Sequence, residues 1–421
     1  MESDLKSNML HKSNTASFVF FSFITLILFA PVIGTIPSLE ALNIDNIIAF
    51  VSLLGIIIFQ LKNPRSFMKS EYIILGLLLV IIIIGLFGNI ASGIYGVKFI
   101  VLDIWSITKC FIAYFFGRVA FRTGFFTSQI ARLIVYSRWI IGCLFVLLLL
   151  NLVYPIWPST EIRLGVKTQY LIFPHATYLS ATVFFCMLFL GLKNVRYNIP
   201  YLMLGSILIF FAARNKGLIF IALYFFILLF QHYAKKKSFK VSYLILPVIT
   251  LFAMFWEVID TRLLSSTTSA RSMLYQGAFK IADMFAPYGS GFATFGSGSS
   301  VKNYSPLYDT LQYYRYYGFT KENPQYLNDS YIAMFIAQFG YIGIACFTLI
   351  VSLFLIMISK RSGYTQAFTL VLFLYTITSL FTELYLTTSL GIVTFFLIGT
   401  IFGNEEKPDL RKDTLWKKQL L

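Results

Sequence analysis

Two short stretches carry charged residues where chemistry could be done. Ala213-Arg214-Asn215-Lys216-Gly217 sets two cations in a polar break between apolar arms. Each arm has only about 15–17 residues, at or below the usual length of a membrane span. Arg214 and Lys216 are therefore expected at or slightly below the lipid headgroups, held by a tight Asn-Lys-Gly turn. Two readings fit. They can be interfacial cations snorkelling to water on their aliphatic stems. They can also form an anion site for a lipid-borne phosphate, because unpaired cations beside hydrocarbon require a counter-charge. The second stretch is Asn328-Asp329-Ser330, directly before the apolar run that opens at Tyr331. Asp329 can cap a helix there, accepting backbone N–H groups and favoured by the helix dipole. Capping does not exclude catalysis.

Other features suit a ligand less specifically. Gly289-Ser290-Gly291-Phe292-Ala293-Thr294-Phe295-Gly296-Ser297-Gly298 is rich in glycine and aromatic residues. Such a loop can wrap a phosphate or a sugar, which makes Gly289 and Gly291 candidate substrate-binding positions. Without a following Lys-Ser/Thr it is no nucleotide P-loop. Tyr313-Tyr314-Arg315-Tyr316-Tyr317-Gly318 presents aromatic faces and polar tips, suited to sugar rings and hydroxyls, with Arg315 as a candidate contact. The same composition suits an interfacial aromatic belt. Asp103 and Lys109 share one apolar run, six residues and about 240° apart on a helix, so they do not pair within it. Intramembrane ions are functional suspects, against a plainer interfacial reading of Asp103 near the outer end, whereas Lys109 lies deeper and needs a carbonyl or carboxylate on another helix. His175, beside Pro174 at a helix start, reads as structural.

The elements that must position these residues are apolar helices. The chain of 421 residues is 58% hydrophobic and only 12% charged, too little polar surface for a soluble protein of this length. Apolar runs fall near residues 17–36, 45–61, 72–89, 97–117, 136–155, 173–192, 199–213, 217–233, 241–258, 331–358, 364–381 and 385–403. Many are near the roughly 20 residues that cross a bilayer core. The fold class is therefore an all-α polytopic membrane protein of about twelve transmembrane helices. Residues 1–258 hold helices one to nine, 259–330 one large extracytoplasmic loop with a helix over Ser266–Phe285, 331–403 the last three helices, and 404–421 a basic cytoplasmic tail. A loop this long is usually functional. The polar start, Met1–Ala16, leads into an apolar run without a cleavage site and reads as an uncleaved first helix. The four cysteines lie in apolar runs and imply neither disulfides nor zinc.

The net charge of +16 reflects orientation. With both termini cytoplasmic, 22 of the 34 Lys and Arg residues lie in cytoplasmic segments, among them Lys62, Arg118, Lys235, Lys236, Lys237, Lys360 and Arg361. Positive-inside bias explains the excess, and nucleic acid is not needed as a partner.

Together these pieces resemble the bacterial polysaccharide polymerase and O-antigen ligase superfamily, Wzy type. The family pattern near the end of the large loop is His-[Asn/Ser/Gln]-x9-Gly-x-x-Gly. The matching positions here are Asp329-Ser330, nine residues, Gly340, two residues and Gly343. Ligases carry His at the first position, so Asp329 looks closer to polymerases. Ala213–Gly217 resembles the family's Ser-Arg-Gly-like turn, and Ala270-Arg271 with Tyr275, Ala278 and the glycine stretch resembles the arginine helix of the loop. The Arg-x10-Gly pattern of some polymerases is absent from the external arginines. The resemblance covers residues 200–403; the N-terminal half is similar only in helix count and hydropathy.

The resemblance implies a GT-C-like fold in the bacterial plasma (inner) membrane. It also implies a glycosyltransferase that moves a glycan from undecaprenyl pyrophosphate to a sugar hydroxyl of a second lipid-linked repeat, outside the cytoplasm, for O-antigen, capsule or exopolysaccharide. Such a donor is already activated, so neither metal nor cofactor is obligatory, and the sequence shows no Asp-x-Asp motif or His/Cys cluster. On this reading Arg214 and Arg271 hold the pyrophosphate and Lys216 adds a third cation. Arg163, in Glu161-Ile162-Arg163-Leu164-Gly165, is a further candidate against the plainer reading of a solvated loop cation. Tyr275 is a substrate contact. Asp329 orients or deprotonates the acceptor; adjacent arginines should lower its pKa and make it a weak base. Partners implied are the lipid-linked oligosaccharide, membrane lipids, a chain-length regulator and a flippase. A polysaccharide flippase or other transporter is the rival from another class, and an O-antigen ligase the nearest enzymatic one. Transporters place charge at mid-membrane in repeated halves; here polar residues gather in one outer loop.

Overall fold

The computed structural model describes residues 2–37, 43–62, 67–94, 96–121, 124–163, 165–233, 269–361 and 363–403. In chain order the helices are α1 (Glu2–Leu28), α2 (Ala30–Ile33), α3 (Ile44–Lys62), α4 (Lys69–Ser92), α5 (Val97–Ala120) and α6 (Phe125–Val153). A two-stranded antiparallel hairpin, β1 (Ile162–Arg163) and β2 (Val166–Lys167), follows. Then come α7 (Ala176–Leu190), α8 (Val195–Ala212), α9 (Asn215–Tyr233), α10 (Ala270–Met284), α11 (Gly298–Asn303), α12 (Pro306–Thr310), α13 (Tyr331–Ser359), α14 (Gly363–Leu380) and α15 (Ser389–Gly403). Six of them, α3, α4, α5, α6, α8 and α13, are long and apolar enough to cross a membrane. Shorter apolar helices accompany them, including α7, α9, α14 and α15. The chain is a helical, multi-pass membrane protein.

The expected helix over 241–258, the start of the expected loop and the basic tail lie outside the described residues. Two helices differ from the apolar runs. The first begins at Glu2 and ends at Leu28, with Pro31 in the separate turn α2, because proline lacks the N–H that a continuing helix needs. The run expected from 136 begins at Phe125, since a first stretch containing Gln129 and Arg132 is helical without being uniformly apolar. The Ser266–Phe285 helix is seen as α10, capped by Ser269, whose side chain accepts the Ser272 N–H.

Helix α5 organises the bundle. Against α15 the backbones nearly touch: a Cβ at Gly399 would lie 2.0 Å from the Tyr114 carbonyl oxygen, and one at Gly117 2.4 Å from that of Phe396. Small residues let membrane helices approach this closely. On another side Lys109 pairs with Asp45 of α3, the carboxylate partner its depth requires. Toward its C-terminus Arg118 Nε (2.9 Å) and the Tyr114 hydroxyl (2.7 Å) donate to Oε1 of buried Glu71 on α4, while Met68 N–H donates to Oε2 (2.6 Å).

The glycine stretch is a packed insert between helices. At Gly340 the backbone of α13 leaves helical geometry (φ 59°, ψ −160°), freeing carbonyls that must find donors inside the bundle. Ser290 N–H and Gly291 N–H donate to the carbonyls of Ala337 and Gln338, each at 2.9 Å. Asn89 of α4 clamps Phe292 from both sides, donating to its carbonyl and accepting its N–H at 2.9 Å. Asp103 accepts Ala293 N–H (2.7 Å) and the Gln338 amide (3.0 Å). Asp103 is thus 1% exposed, with its hydrogen bonds supplied by this insert rather than by water. Gly289 and Gly291 pack against this chain's own backbone. A Cβ at Gly291 would lie 2.2 Å from Asn89 N, and one at Gly289 2.5 Å from Gly340 N.

Candidate functional site

At one end of the bundle, the start of α7, the α8–α9 turn, the start of α13 and the end of α14 meet α10 and the β hairpin. The α8–α9 break falls where the charged pair interrupts the apolar sequence. Ala213 takes a left-handed conformation (φ 49°), and its N–H closes on the Phe210 carbonyl at 2.9 Å. Arg214 therefore sits between two helices and Lys216 in the first turn of α9. Gly217 allows this: a Cβ there would meet Ser180 Oγ of α7 at 2.4 Å.

Arg214 reaches two partners. Its Nη2 is 2.8 Å from His175 Nε2 and 3.5 Å from Glu161 Oε2. The guanidinium can only donate, so Nε2 accepts and the imidazole is neutral with its proton on Nδ1. That leaves the Nδ1 contact with Thr177 N–H (3.3 Å) a poor helix cap. Burial holds the His175 pKa below its usual value, and the Arg214 charge adds to this. Glu161 also pairs with Arg163 at 2.5 Å. Arg163 is exposed on the hairpin, linked to Arg214 through their shared carboxylate.

Lys216 is enclosed. Its ammonium donates to Ser379 Oγ at 3.0 Å, pairs with Glu383, and faces the rings of Tyr375 (4.9 Å) and Tyr385 (6.0 Å). Arg271, in the first turn of α10, makes one long hydrogen bond, from Nη2 to the Thr382 carbonyl at 3.5 Å. It has no ion pair among the described residues. Arg214, Lys216 and Arg271 lie within electrostatic reach of one another. The Nε–H groups of Arg214 and Arg271 are both buried without an acceptor among the described residues.

Ser330, and not Asp329, caps α13: its Oγ accepts Ala333 N–H at 3.2 Å. The same hydroxyl donates to the Tyr275 hydroxyl (2.9 Å), which donates to the Phe381 carbonyl (3.2 Å). Tyr275 so ties α10 to α13 and the end of α14. Asp329 is half-buried, and its carboxylate has no hydrogen bond or ion pair among the described residues. Its pKa is raised, opposite to the sequence expectation: burial outweighs the lowering by Arg271, and Glu383 adds to the rise.

The structure thus gathers Arg214, Lys216, Arg271, Tyr275 and Asp329, with Arg163 at the rim. Arg315 is exposed, with its guanidinium 5.7 Å from the centre of the Tyr314 ring. The tyrosine run divides: Tyr313 is buried and donates to the Met273 carbonyl (2.7 Å), while Tyr314, Tyr316 and Tyr317 are exposed. Sequence reasoning missed Glu383. Its one signal is that it is the sole charged residue between Arg361 and Glu405, set in the short connection between two apolar runs. Among the described residues no group of three His, Cys, Asp or Glu side chains is arranged to hold a metal ion.

No family model matches the chain, and no curated protein matches it. The geometry therefore carries the functional argument. Three cations with two unused buried donors suit a multiply charged anion with several acceptor oxygens. A carboxylate with a raised pKa beside them suits a proton transfer.

Proposed function

We propose that this protein polymerises lipid-linked oligosaccharide repeat units at the extracytoplasmic face of a bacterial plasma membrane. In this reading it is built on about twelve spans and the large 259–330 loop. The donor is a glycan on undecaprenyl pyrophosphate, and the acceptor is a sugar hydroxyl of another lipid-linked repeat. The hydroxyl oxygen forms the new bond to the anomeric carbon as the bond from that carbon to the pyrophosphate oxygen breaks. The electron pair leaves with the pyrophosphate, and the hydroxyl proton passes to Asp329 and on to water. Arg214, Lys216 and Arg271 stabilise the charge that develops on the leaving group, an interaction worth several kcal/mol when water is excluded.

One observation supports this most. Among the described residues, two guanidinium groups from distant stretches present buried N–H donors without acceptors, beside a carboxylate without a partner. Arg118 lies in the last turn of α5, and Lys360 and Arg361 follow the end of α13, in keeping with a site on the outer face. The raised pKa makes Asp329 a better base than an ordinary aspartate.

The test is Ala substitution of Arg214, Arg271 and Asp329 separately in cells making the polymer. Long chains should vanish while single capped repeat units persist. Lipid-linked units trapped inside would indicate a flippase. Normal chain-length ladders in all three variants would refute the site.

A further inference from the structure

We infer that Glu383 is an exchangeable counter-ion, whose carboxylate holds on Lys216 the position that a pyrophosphate oxygen takes when the lipid-linked donor binds. The inference rests on the pyrophosphate reading above. Three neighbouring cations in a half-buried site need negative charge nearby, and Glu383 is placed to supply it. Besides pairing with Lys216, its carboxylate is within electrostatic reach of Arg214 and Asp329.

Three features suit exchange. First, Lys216 keeps other partners when the carboxylate leaves: Ser379 Oγ at 3.0 Å and the faces of Tyr375 and Tyr385. Second, the backbone of Glu383 is fixed independently of its side chain. Its N–H donates to the Ser379 carbonyl at 2.9 Å, and its own carbonyl accepts Tyr331 N–H at 3.3 Å. The side chain can therefore change rotamer toward water while the corner after α14 stays in place. Third, the pair is open on one side, with the Lys216 and Glu383 side chains 18% and 27% exposed. A monovalent carboxylate competes poorly with a pyrophosphate that engages Lys216, Arg214 and Arg271 together, but it keeps single-charge anions out.

The experiment measures inorganic pyrophosphate binding by calorimetry to the full chain in lipid nanodiscs. Glu383→Gln removes the competing charge and should bind about tenfold more tightly than the parent, which is about 1.4 kcal/mol. Lys216→Met combined with Glu383→Gln should lose that gain. Glu383→Asp, with a shorter reach to Lys216, should move affinity in the same direction by a smaller factor and decides the matter if the Gln variant does not fold. Parent-like or weaker binding by these single variants, with the parent still binding, overturns the exchange and leaves the pyrophosphate reading intact. Failure of the parent to bind, or binding indifferent to Arg214→Ala and Arg271→Ala, instead strikes the pyrophosphate reading itself.

Discussion

Two charged clusters in this protein are built from similar residues and satisfied differently. Around Glu71, both carboxylate oxygens accept hydrogen bonds, from Met68 N–H, the Tyr114 hydroxyl and Arg118. Around Arg214 and Arg271, buried N–H groups lack acceptors, and Asp329 lacks a donor among the described residues. Leaving a buried donor unsatisfied costs about 1–3 kcal/mol, so these guanidinium groups are poised to take up an acceptor. The first cluster joins α4 to α5. The second is incomplete by itself, as a ligand site is.

The largest expected effect breaks the first cluster. Glu71→Ala removes the buried acceptor shared by the Arg118 guanidinium, the Tyr114 hydroxyl and Met68 N–H, and should cost about 3–5 kcal/mol in unfolding measured in detergent. Next is Arg271→Ala. It should lower polymer formation about 10²–10³-fold, as removal of a charge-stabilising donor does, while unfolding stays within about 0.5 kcal/mol of the parent. If Arg271→Ala destabilises as Glu71→Ala does, the contrast between the clusters collapses. The pH profile sharpens it further. With Asp329 acting as the base, activity should rise with pH as its carboxyl ionises, on a limb above the ordinary carboxylate range because burial raises its pKa. A limb at or below the ordinary value would show that Arg271 prevails over burial. The smallest effect concerns the cap. Ser330→Ala should cost about 1 kcal/mol in stability, and Asp329→Ala should cost less in the same unfolding measurement.

Much of the scaffold is legible in the sequence because helix-length apolar runs leave few other folds. The α8–α9 break is legible too, since Arg-Asn-Lys-Gly cannot continue a buried helix without placing two cations in hydrocarbon. Arg271 and Tyr275 are different. Nothing local distinguishes them from other loop residues, and only the family resemblance singled them out. Gly289 and Gly291 show the limit of a glycine signal: it reports close backbone approach, and here the approaching group is Asn89 or Gly340 of the same chain. The sign of the Asp329 shift required knowing its burial, which adjacent residue types do not encode. Glu383 escaped because a single carboxylate in a short connection has no spacing pattern, and its meaning comes from Lys216, 167 positions away.

The most direct test reconstitutes the purified protein with undecaprenyl-pyrophosphate-linked repeat units and follows glycan and lipid together. The account predicts longer lipid-linked glycans, with one undecaprenyl pyrophosphate released for each glycosidic bond formed, and both lost in Arg271→Ala. Movement of intact lipid-linked units across the bilayer, with no pyrophosphate carrier released, would contradict it.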